Sequence, residues 1–309
     1  YRLVGGGDAI NYGSFSPYGL SYLFGAKVRV PGIDLPPDET WQVHESERML
    51  RKDYDWVLEH DWRAFFKKFL SERLFNDAEP ALLPRNQKSV DVSGLWAAQG
   101  IPVLSGGDVT TPFELLCGAR SLEPFFLDLV EIPDKVLAVM DAIMPHLAEK
   151  PTHKALDKGF PAVWVGGWRA APDLISPAMW ERFVWPYFRR LVSQVLKSGL
   201  IPLLHLDSNW ERELERFTEF PRGRLIMALD GDTDIFKAKK ILGDRVCLMG
   251  DVPAALLAFG DAGEVEAYCH RLIQEIGPKG FILQSGCDIP ANAKLENVQA
   301  MVQAVKQIP

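Results

Sequence analysis

The feature that most constrains the fold is a unit repeated through the second half of the chain, in which a short apolar run is followed by a helical pattern. The runs do not alternate between apolar and polar residues, so each is typical of a strand that is buried on both faces. Buried strands separated by helices predict an α/β fold with a parallel sheet. The runs occupy residues 161–165, 201–206, 225–229, 246–249 and 281–284.

The helices between these runs have recognisable ends. Ser176 followed by Pro177 predicts a helix N-cap with proline in the first turn, and the helical pattern then extends to Lys197. Glycine is preferred just after a helix, and Gly199 follows this one. Two further helices are predicted: one is capped by Asp232 or Thr233 and ends at Gly243, and the other is capped by Asp261 and ends at Gly277-Pro278.

The first half of the chain is less regular. Residues 101–105 predict a strand that Gly106 and Gly107 would end. No linker or low-complexity segment divides the chain, so we predict a single domain over residues 1–309 with an irregular N-terminal region of about 1–90. Helical patterns are predicted at 45–75, 113–117, 122–129 and 134–147.

The alternation of strands and helices fits two architectures. A (β/α)₈ barrel and an open doubly wound sheet are both built from this unit, and a length of 309 residues suits one barrel as well as two smaller domains. An open nucleotide-binding sheet often carries a GxGxxG or Walker loop, and neither motif occurs in this sequence.

Composition limits the partners of the protein. The formal net charge of −7 and the pI of about 5.5 argue against a general attraction to nucleic acid. The four cysteines are widely spaced, which favours reduced thiols and a cytoplasmic location. No apolar stretch approaches the roughly 20 residues that a membrane helix needs, and no secretory signal is recognisable. We therefore expect a cytoplasmic protein that binds neither nucleic acid nor membranes.

Polar and reactive residues follow several of the predicted strands, at the edge where a parallel barrel has its active site. His205 and Asp207 are two positions apart on one strand, so their side chains point to the same face. Cys287 follows another strand. Three such ligands with an open fourth position are typical of a catalytic zinc site, whereas in a pocket without metal the carboxylate would orient the imidazole for proton transfer. The sequence leaves both interpretations open.

Other residues near the strand ends are candidates for contacts with a substrate. Trp168 and Trp210 would line a pocket, although tryptophans are as often core residues. The run from Asp230 to Asp234 is equally consistent with a helix cap. Cys117, Cys247 and Cys269 are interpreted as packing residues. The predicted substrate-binding residues are Trp168, Arg169, Tyr187, Trp210, Asp230 and Asp251.

Three segments together resemble a known family. They are FGAKVRVPGIDLPPDETWQVHESERMLRKDYDWVL at 24–58, LISPAMWERFVWPYFRRLV followed by GLIPLLHLDSN within 174–209, and GDRVCLMGDVP followed by GFILQSGCDIPANAKLENVQAMV within 243–302. With these segments the chain resembles the uroporphyrinogen decarboxylase superfamily and, within it, the branch of cobalamin-dependent methyltransferases. The resemblance implies a (β/α)₈ TIM barrel with a deep site at the C-terminal ends of the strands.

The resemblance also bears on the site. Methyltransferases of this branch bind zinc through a His-x-Cys pair on one strand and a Cys on a later strand. His205 and Cys287 match two of these ligands, and Asp207 stands where the middle Cys would be. A carboxylate is an acceptable zinc ligand but a harder one. Gly167-Trp168 stand where many relatives have an acidic residue, and the arginine-rich stretch RxPxWxMRQAGR of true uroporphyrinogen decarboxylases is not found here.

The resemblance implies a corrinoid-dependent methyltransferase or demethylase. It would move a methyl group between a small O- or N-methylated compound and cobalamin carried by a partner protein, with His205 and Asp207 as catalytic residues and zinc held by His205, Asp207 and Cys287. The alternative is a carboxy-lyase without metal, in which Arg169 binds a substrate carboxylate and His205 or Asp207 handles the proton. A barrel that only binds a ligand is a third hypothesis. The sequence is compatible with a homodimer without specifying one.

Overall fold

The structure is a computed structural model. It describes residues 2–3, 7–8, 17–74 and 92–306, with side chains described for 21–74 and 94–306. Part of the predicted irregular N-terminal region therefore lies outside the described residues. Within the described residues, no helix is both long enough and apolar enough to cross a membrane.

The main sheet has six parallel strands that follow one another in chain order, as the repeated unit predicts. A short antiparallel hairpin lies against the last of them, and a separate two-stranded ribbon lies in the N-terminal segment. The main sheet comprises β1 (Arg2–Leu3), β2 (Gly7–Asp8), β5 (Ser105–Thr110), β6 (Ala162–Gly167), β7 (Ile201–Leu206), β8 (Ile226–Leu229), β9 (Cys247–Val252) and β10 (Phe281–Ser285), and the ribbon comprises β3 (Lys27–Arg29) and β4 (Gln42–His44). The strand order is β2-β1-β10-β9-β8-β7-β6-β5.

Helices follow the parallel strands and cover the outside of the sheet. The α-helices are α1 (Pro17–Phe24), α2 (Asp53–Glu59), α3 (Trp62–Phe69), α4 (Val92–Ala98), α5 (Pro112–Arg120), α6 (Leu122–Glu131), α7 (Pro133–Ile143), α8 (Glu149–Asp157), α9 (Pro177–Phe183), α10 (Trp185–Lys197), α11 (Ile235–Leu242), α12 (Ala254–Phe259), α13 (Ala262–Glu275) and α14 (Leu295–Ala304). A π-helical turn spans Leu70–Leu74, and 3₁₀ segments span Met144–His146 and Glu211–Glu219.

The two faces of the sheet bury different sets of side chains. One face packs against the helices and forms the larger core. The other face forms a second cluster in which Trp164, Leu203 and Ile282 from separate strands meet Phe24 and Val28 of the N-terminal segment. Because alternate residues of a strand face opposite sides, His205 and Asp207 continue the inward-facing row that Leu203 begins. The second cluster is therefore the floor beneath these two residues.

The first parallel strand differs from the prediction. The strand was expected at 101–105 with two glycines ending it, but β5 begins at Ser105 and runs through Gly106 and Gly107. A Cβ atom at Gly106 would lie 1.5 Å from the Phe160 ring, and one at Gly107 would lie 2.4 Å from the carbonyl oxygen of Pro151. The glycines are present because α8 and the segment after it pack directly onto the strand, so they are packing residues and not a stop.

The helical prediction for residues 45–75 was also too broad. The helix begins only at Asp53, whose carboxylate accepts a hydrogen bond from the amide of Leu50 and pairs with Arg73. A new helix then starts at the N-cap Asp61, which accepts from the amide of Ala64. A buried carboxylate that satisfies the amides before a helix fixes where the helix begins.

The predicted helix caps are largely confirmed. Ser176 accepts from the amide of Met179, and Asp261 forms a capping box with Glu264. The helix after Ser176 is not continuous, since it breaks at Val184 before Pro186, which lacks the N–H that the helix would use. The N-cap of α11 is Asp234, so the predicted caps Asp232 and Thr233 were wrong.

Candidate functional site

The structure brings together the three predicted metal ligands. The Nε2 atom of His205 lies 3.3 Å from Oδ1 of Asp207 and 3.9 Å from Sγ of Cys287. One ligand atom from each residue can be chosen so that all three lie within 4.8 Å of one another. His205 and Asp207 are partly buried and Cys287 is exposed, so the group lies at the mouth of the sheet and is open to solvent on one side.

The end of β7 is held firmly in place. The amide of Asp207 donates to the carbonyl oxygen of Gly167, and the indole N–H of Trp210 donates to the carbonyl oxygen of Asp207 at 2.8 Å. The ring of Trp164 lies beside the imidazole of His205, with centroids 5.5 Å apart. The two bonds fix the backbone of Asp207, and the neighbouring ring of Trp164 restricts the rotation of the His205 imidazole.

Cys287 reaches the group because the chain turns sharply after β10. The hydroxyl of Ser285 donates to the carbonyl oxygen of Cys287 at 2.7 Å, and the amide of Gly286 donates to the carbonyl oxygen of Val252. A Cβ atom at Gly286 would lie 2.4 Å from the carbonyl oxygen of Asp230. Only glycine permits this close approach, which brings the thiol across to β7.

The charges around the group are mostly negative. Burial raises the pKa of Asp207; His205 acts against this rise, and the carboxylates of Asp230 and Asp288 add to it. Although Cys287 is exposed as a residue, desolvation of its thiol, followed by the charge of Asp207, raises the pKa of Cys287 to about 12. Without a cation the thiol is protonated at neutral pH. A bound cation would relieve the repulsion among the carboxylates and favour the thiolate.

The donor set fits a zinc ion. Zinc binds imidazole nitrogen and carboxylate oxygen at about 2.0–2.2 Å, so two such donors at a tetrahedral angle lie roughly 3.3–3.5 Å apart. The 3.3 Å between His205 and Asp207 matches this spacing. Oδ1 of Asp207 is buried and has no hydrogen-bond donor among the described residues, so its lone pairs are free to bind a cation.

The carboxylates of Asp230 and Asp251 bond to neighbouring protein groups, Asp230 to a loop and Asp251 to a helix. The carboxylate of Asp230 accepts from the amides of Ser208 and Asp232, so it fixes the turn that follows Asp207. Asp251 is buried and accepts from the hydroxyl of Tyr268 on α13, and burial raises its pKa to about 6. Asp230 acts electrostatically on Asp207, whereas the hydrogen bond of Asp251 is directed at the outer helix.

Trp168 and Arg169 lie on the loop after β6. The ring of Trp168 packs edge-on against Phe24 with centroids 3.9 Å apart, and the guanidinium of Arg169 lies 4.8 Å from its centre. Arg169 is buried, pairs with Glu45 and donates to the carbonyl oxygen of Cys117. Its guanidinium is therefore occupied by protein groups.

Trp210 and Tyr187 do not face the shared position. Trp210 is fully buried among Trp180, Phe188 and Phe217, and it acts on the site through its bond to the Asp207 carbonyl. Tyr187 lies on α10, and its hydroxyl donates to the carbonyl oxygen of Leu137 on α7. The structure thus places both residues in the outer core instead of on a pocket wall.

A cavity of about 890 Å³ lies elsewhere, between α1, α3, β5 and α8. Trp62 and Phe66 line one wall, and Asp108 and Thr110 of β5 line another. None of the three predicted metal ligands borders it. The candidate site is therefore defined by the ligand geometry at the mouth and not by this cavity.

Comparison with known proteins identifies the family. The model of the uroporphyrinogen decarboxylase (URO-D) family matches residues 97–308, which is more than half of the chain. The chain belongs to the URO-D family. The predicted resemblance to this superfamily is thereby confirmed, and the matched region contains β7, β10 and the three candidate ligands.

Curated URO-D relatives match over part of their length. Uroporphyrinogen decarboxylase of Coxiella burnetii (strain RSA 493 / Nine Mile phase I) is 28% identical over 137 residues, which cover 43% of this chain and 37% of that protein. That of Syntrophotalea carbinolica is 31% identical over 137 residues, which cover 44% of this chain and 38% of that protein. The match thus spans less than two fifths of the length of these curated relatives.

A solved structure shows the same fold as this URO-D chain. A methyltransferase from Methanosarcina mazei superposes with a TM-score of 0.70 over 98% of this chain and 81% of that chain. Sequence identity is 17%, so the likeness is one of fold. The predicted α/β barrel of uroporphyrinogen decarboxylase type is confirmed by this match, by the family and by the six successive parallel strands.

Two contributions to the site of this URO-D protein were not predicted from the sequence. The indole N–H of Trp41, near the ribbon, donates to the carboxylate of Asp288 at 2.7 Å, and Phe24 packs between Trp41 and Trp168. Glu114 on α5 is fully buried behind the loop after β6. A lone carboxylate inside the apolar run PFELL was the available signal for Glu114, since a charge within a buried helix needs specific partners.

Proposed function

We propose that this protein is a methyltransferase that moves a methyl group between a small O- or N-methylated compound and cobalamin carried by a partner protein. The observation that supports this most strongly is the His205, Asp207 and Cys287 group, whose ligand atoms lie within 4.8 Å of one another at the mouth. The fold shared with a methyltransferase from Methanosarcina mazei adds support. Within the URO-D family, this favours the methyltransferase branch.

In the proposed reaction the three residues would hold zinc. Zinc would supply Lewis-acid chemistry at the heteroatom that gains or loses the methyl group. Asp207 contributes a negative ligand whose backbone position Gly167 and Trp210 fix. Cys287 contributes a thiol that stays protonated until a cation is present, because burial and the nearby carboxylates raise its pKa to about 12.

The rest of the mouth would bind the methylated compound. Trp164 lies beside His205, and Trp168 is only partly buried on the neighbouring strand end. Aromatic rings next to a polar centre suit a small ligand with an apolar body and one polar atom. The open side of the group is where the cobalamin of a partner would approach. The demethylase direction uses the same contacts.

Zinc content and methyl transfer test the proposal together. The purified protein is expected to bind one zinc per chain, and zinc is expected to be lost in His205→Ala and Cys287→Ser. Transfer to cob(I)alamin from a panel of O- and N-methylated compounds, followed by its absorbance change, should be lost in the same variants. His153→Ala, at an exposed position on α8, is the matched control and should keep both. Full methyl transfer by metal-free protein would refute the zinc assignment, and zinc-loaded protein that transfers no methyl group from any donor would refute the methyltransferase.

A carboxy-lyase is the second candidate, and the family match favours it because the family is named for a decarboxylase. In this reaction Arg169 would bind a substrate carboxylate and His205 or Asp207 would handle the proton. Arg169 would first have to leave Glu45, with which it is paired. Release of CO₂ from a carboxylated substrate by metal-stripped protein, with loss of activity in Arg169→Lys, would establish this candidate over the methyltransferase.

A further inference from the structure

Glu114 is a buried carboxylate that the proposed chemistry does not use. It lies on α5 and is completely inaccessible to solvent. Among the described residues, no cationic side chain donates to it, and its three donors are all backbone amides. A carboxylate buried in this way is costly unless its hydrogen bonds are strong, so the position of those three amides is significant.

The three amides belong to consecutive residues of the loop after β6. Oε1 accepts from Trp168 at 2.6 Å and from Ala170 at 2.9 Å, and Oε2 accepts from Arg169 at 3.0 Å. Three successive N–H groups that converge on one carboxylate fix the path of the loop at each residue. Both oxygens act as acceptors. An amide in place of the carboxylate would therefore place its NH₂ group, a donor, against one of the backbone N–H groups.

The loop that Glu114 holds carries the side chain of Trp168 to the mouth. Trp168 packs on Phe24 beside the strand end that bears His205. Arg169 extends in another direction and pairs with Glu45. Glu45 also accepts from the hydroxyl of Ser121, so the segment after β4 is tied both to this loop and to the start of α6. A shift of the loop would therefore move the Trp168 ring and loosen the segment that lies over it.

We propose that Glu114 is a positioning residue, whose carboxylate holds the loop of residues 168–170 so that Trp168 forms the wall against which the methylated compound lies next to His205. The proposal rests on the methyltransferase function argued above. In that function, Glu114 would set the fit of the substrate without touching it.

The electrostatics of Glu114 supply a readout that a purely structural role would not give. Burial raises the pKa of Glu114 to about 7, against the effect of the three amides and with an added contribution from the charge of Asp207. Among the described residues, the thiol of Cys117 on the same helix and the guanidinium of Arg169, which reaches that thiol, also lie close to it. Below about pH 7 the carboxylate gains a proton and can no longer accept from all three amides, so the loop should loosen in that range.

Fluorine NMR of protein containing 5-fluorotryptophan tests the proposal directly, with the Trp168 signal assigned from Trp168→Phe. In Glu114→Gln the Trp168 signal is expected to move, while zinc per chain stays unchanged. The KM for the methyl donor should rise about tenfold, with a smaller change in kcat.

Glu213→Gln is the matched control. Glu213 is also buried but pairs with Arg212 and Arg216 away from the mouth, so its loss should lower stability and leave the Trp168 signal in place.

The wild-type protein provides a second measurement that does not require the variant to fold. Its Trp168 signal is expected to titrate with a midpoint near pH 7, while that of Trp185 on α10, which packs against Trp180 and Phe217, stays constant. A Trp168 signal that does not change between about pH 5 and pH 9, or a Glu114→Gln protein with the wild-type signal and KM, would overturn the proposal. Absence of methyl transfer with a titrating Trp168 would instead count against the proposed function alone.

Discussion

The imidazole of His205 and the carboxylate of Asp207 lie on the same face of one strand, with Nε2 and Oδ1 3.3 Å apart. This pair is formed by residues only two positions apart, so the strand itself sets their spacing. Cys287 comes from a different strand and depends on the turn at Gly286 to reach them. Two of the three ligands are therefore fixed locally and the third is fixed by the sheet.

Asp207 is expected to set the affinity for zinc. Asp207→Asn keeps the size of the side chain but removes the charge, and the Kd for zinc should rise about 10- to 100-fold. Asp207→Cys would supply the softer ligand that the sequence resemblance places at this position, and the Kd should fall below that of the wild type. Competition with a chromophoric chelator measures both constants.

Asp230→Asn is the control for Asp207, because it changes a neighbouring carboxylate that bonds to backbone amides. Its effect on the zinc Kd should be smaller than that of Asp207→Asn. Equal effects of the two variants would mean that the general negative charge of the mouth, and not ligation by Asp207, holds the metal.

Asp108 is expected to make stability depend on pH. Burial raises its pKa to about 6, against the effect of Lys154, and its Oδ1 has no hydrogen-bond donor among the described residues. Because the pKa in the folded state lies above the ordinary value, the contribution of this group to stability is present below about pH 4 and is lost as pH rises through 6. Asp108→Asn should therefore raise the free energy of unfolding at pH 8 by on the order of 1 kcal/mol and have little effect at pH 4.

Urea unfolding at several pH values measures this difference. Asp157→Asn, at an exposed position on α8, is the control and should leave the pH dependence as it is in the wild type. If Asp108→Asn lowers stability at pH 8, the carboxylate is a satisfied structural group and the argument from burial is wrong.

The sequence predicted the repeated unit well because the pattern that defines it is local. The five buried runs are strands β6 to β10, and the caps at Ser176 and Asp261 lie where their side chains can accept the first free amides. The strand at Gly106 was misplaced because its glycines are required by close packing against α8, which is about 40 residues away in the chain. Tertiary contacts of this kind leave no local pattern.

The site could be predicted in part for the same reason. Strand ends with reactive residues identified His205, Asp207 and Cys287, since parallel strands bring their carboxyl ends to one edge. Glu114 was missed because its role comes from amides on a loop far along the chain. Tyr187 was included because it is aromatic, but the face of a helix that it occupies is settled only by how α10 packs on α7.

Trp210 is expected to support the metal ligands from behind. Trp210→Phe removes the donor to the carbonyl oxygen of Asp207 and leaves space in a fully buried cluster. The free energy of unfolding should fall by about 2–4 kcal/mol. The zinc Kd should rise as well, since the backbone of Asp207 loses a partner.

Trp185→Phe is the control, because Trp185 packs on Trp180 and Phe217 and makes no bond to Asp207. It should lower stability without changing the zinc Kd.

Gly107 tests the packing that places β5 in the sheet. A Cβ atom there would lie 2.4 Å from the carbonyl oxygen and 2.8 Å from the Cα atom of Pro151, both of which belong to the backbone of α8. A backbone cannot give way by rotating a side chain, so Gly107→Ala should lower the free energy of unfolding by at least about 2 kcal/mol. Gly263→Ala, in the first turn of α13, meets only a carboxylate oxygen of Asp261 at 3.3 Å and should leave stability unchanged or slightly higher. Thermal unfolding of both variants decides between a packing role for Gly107 and a strand that ends at the glycines, for which alanine would be harmless.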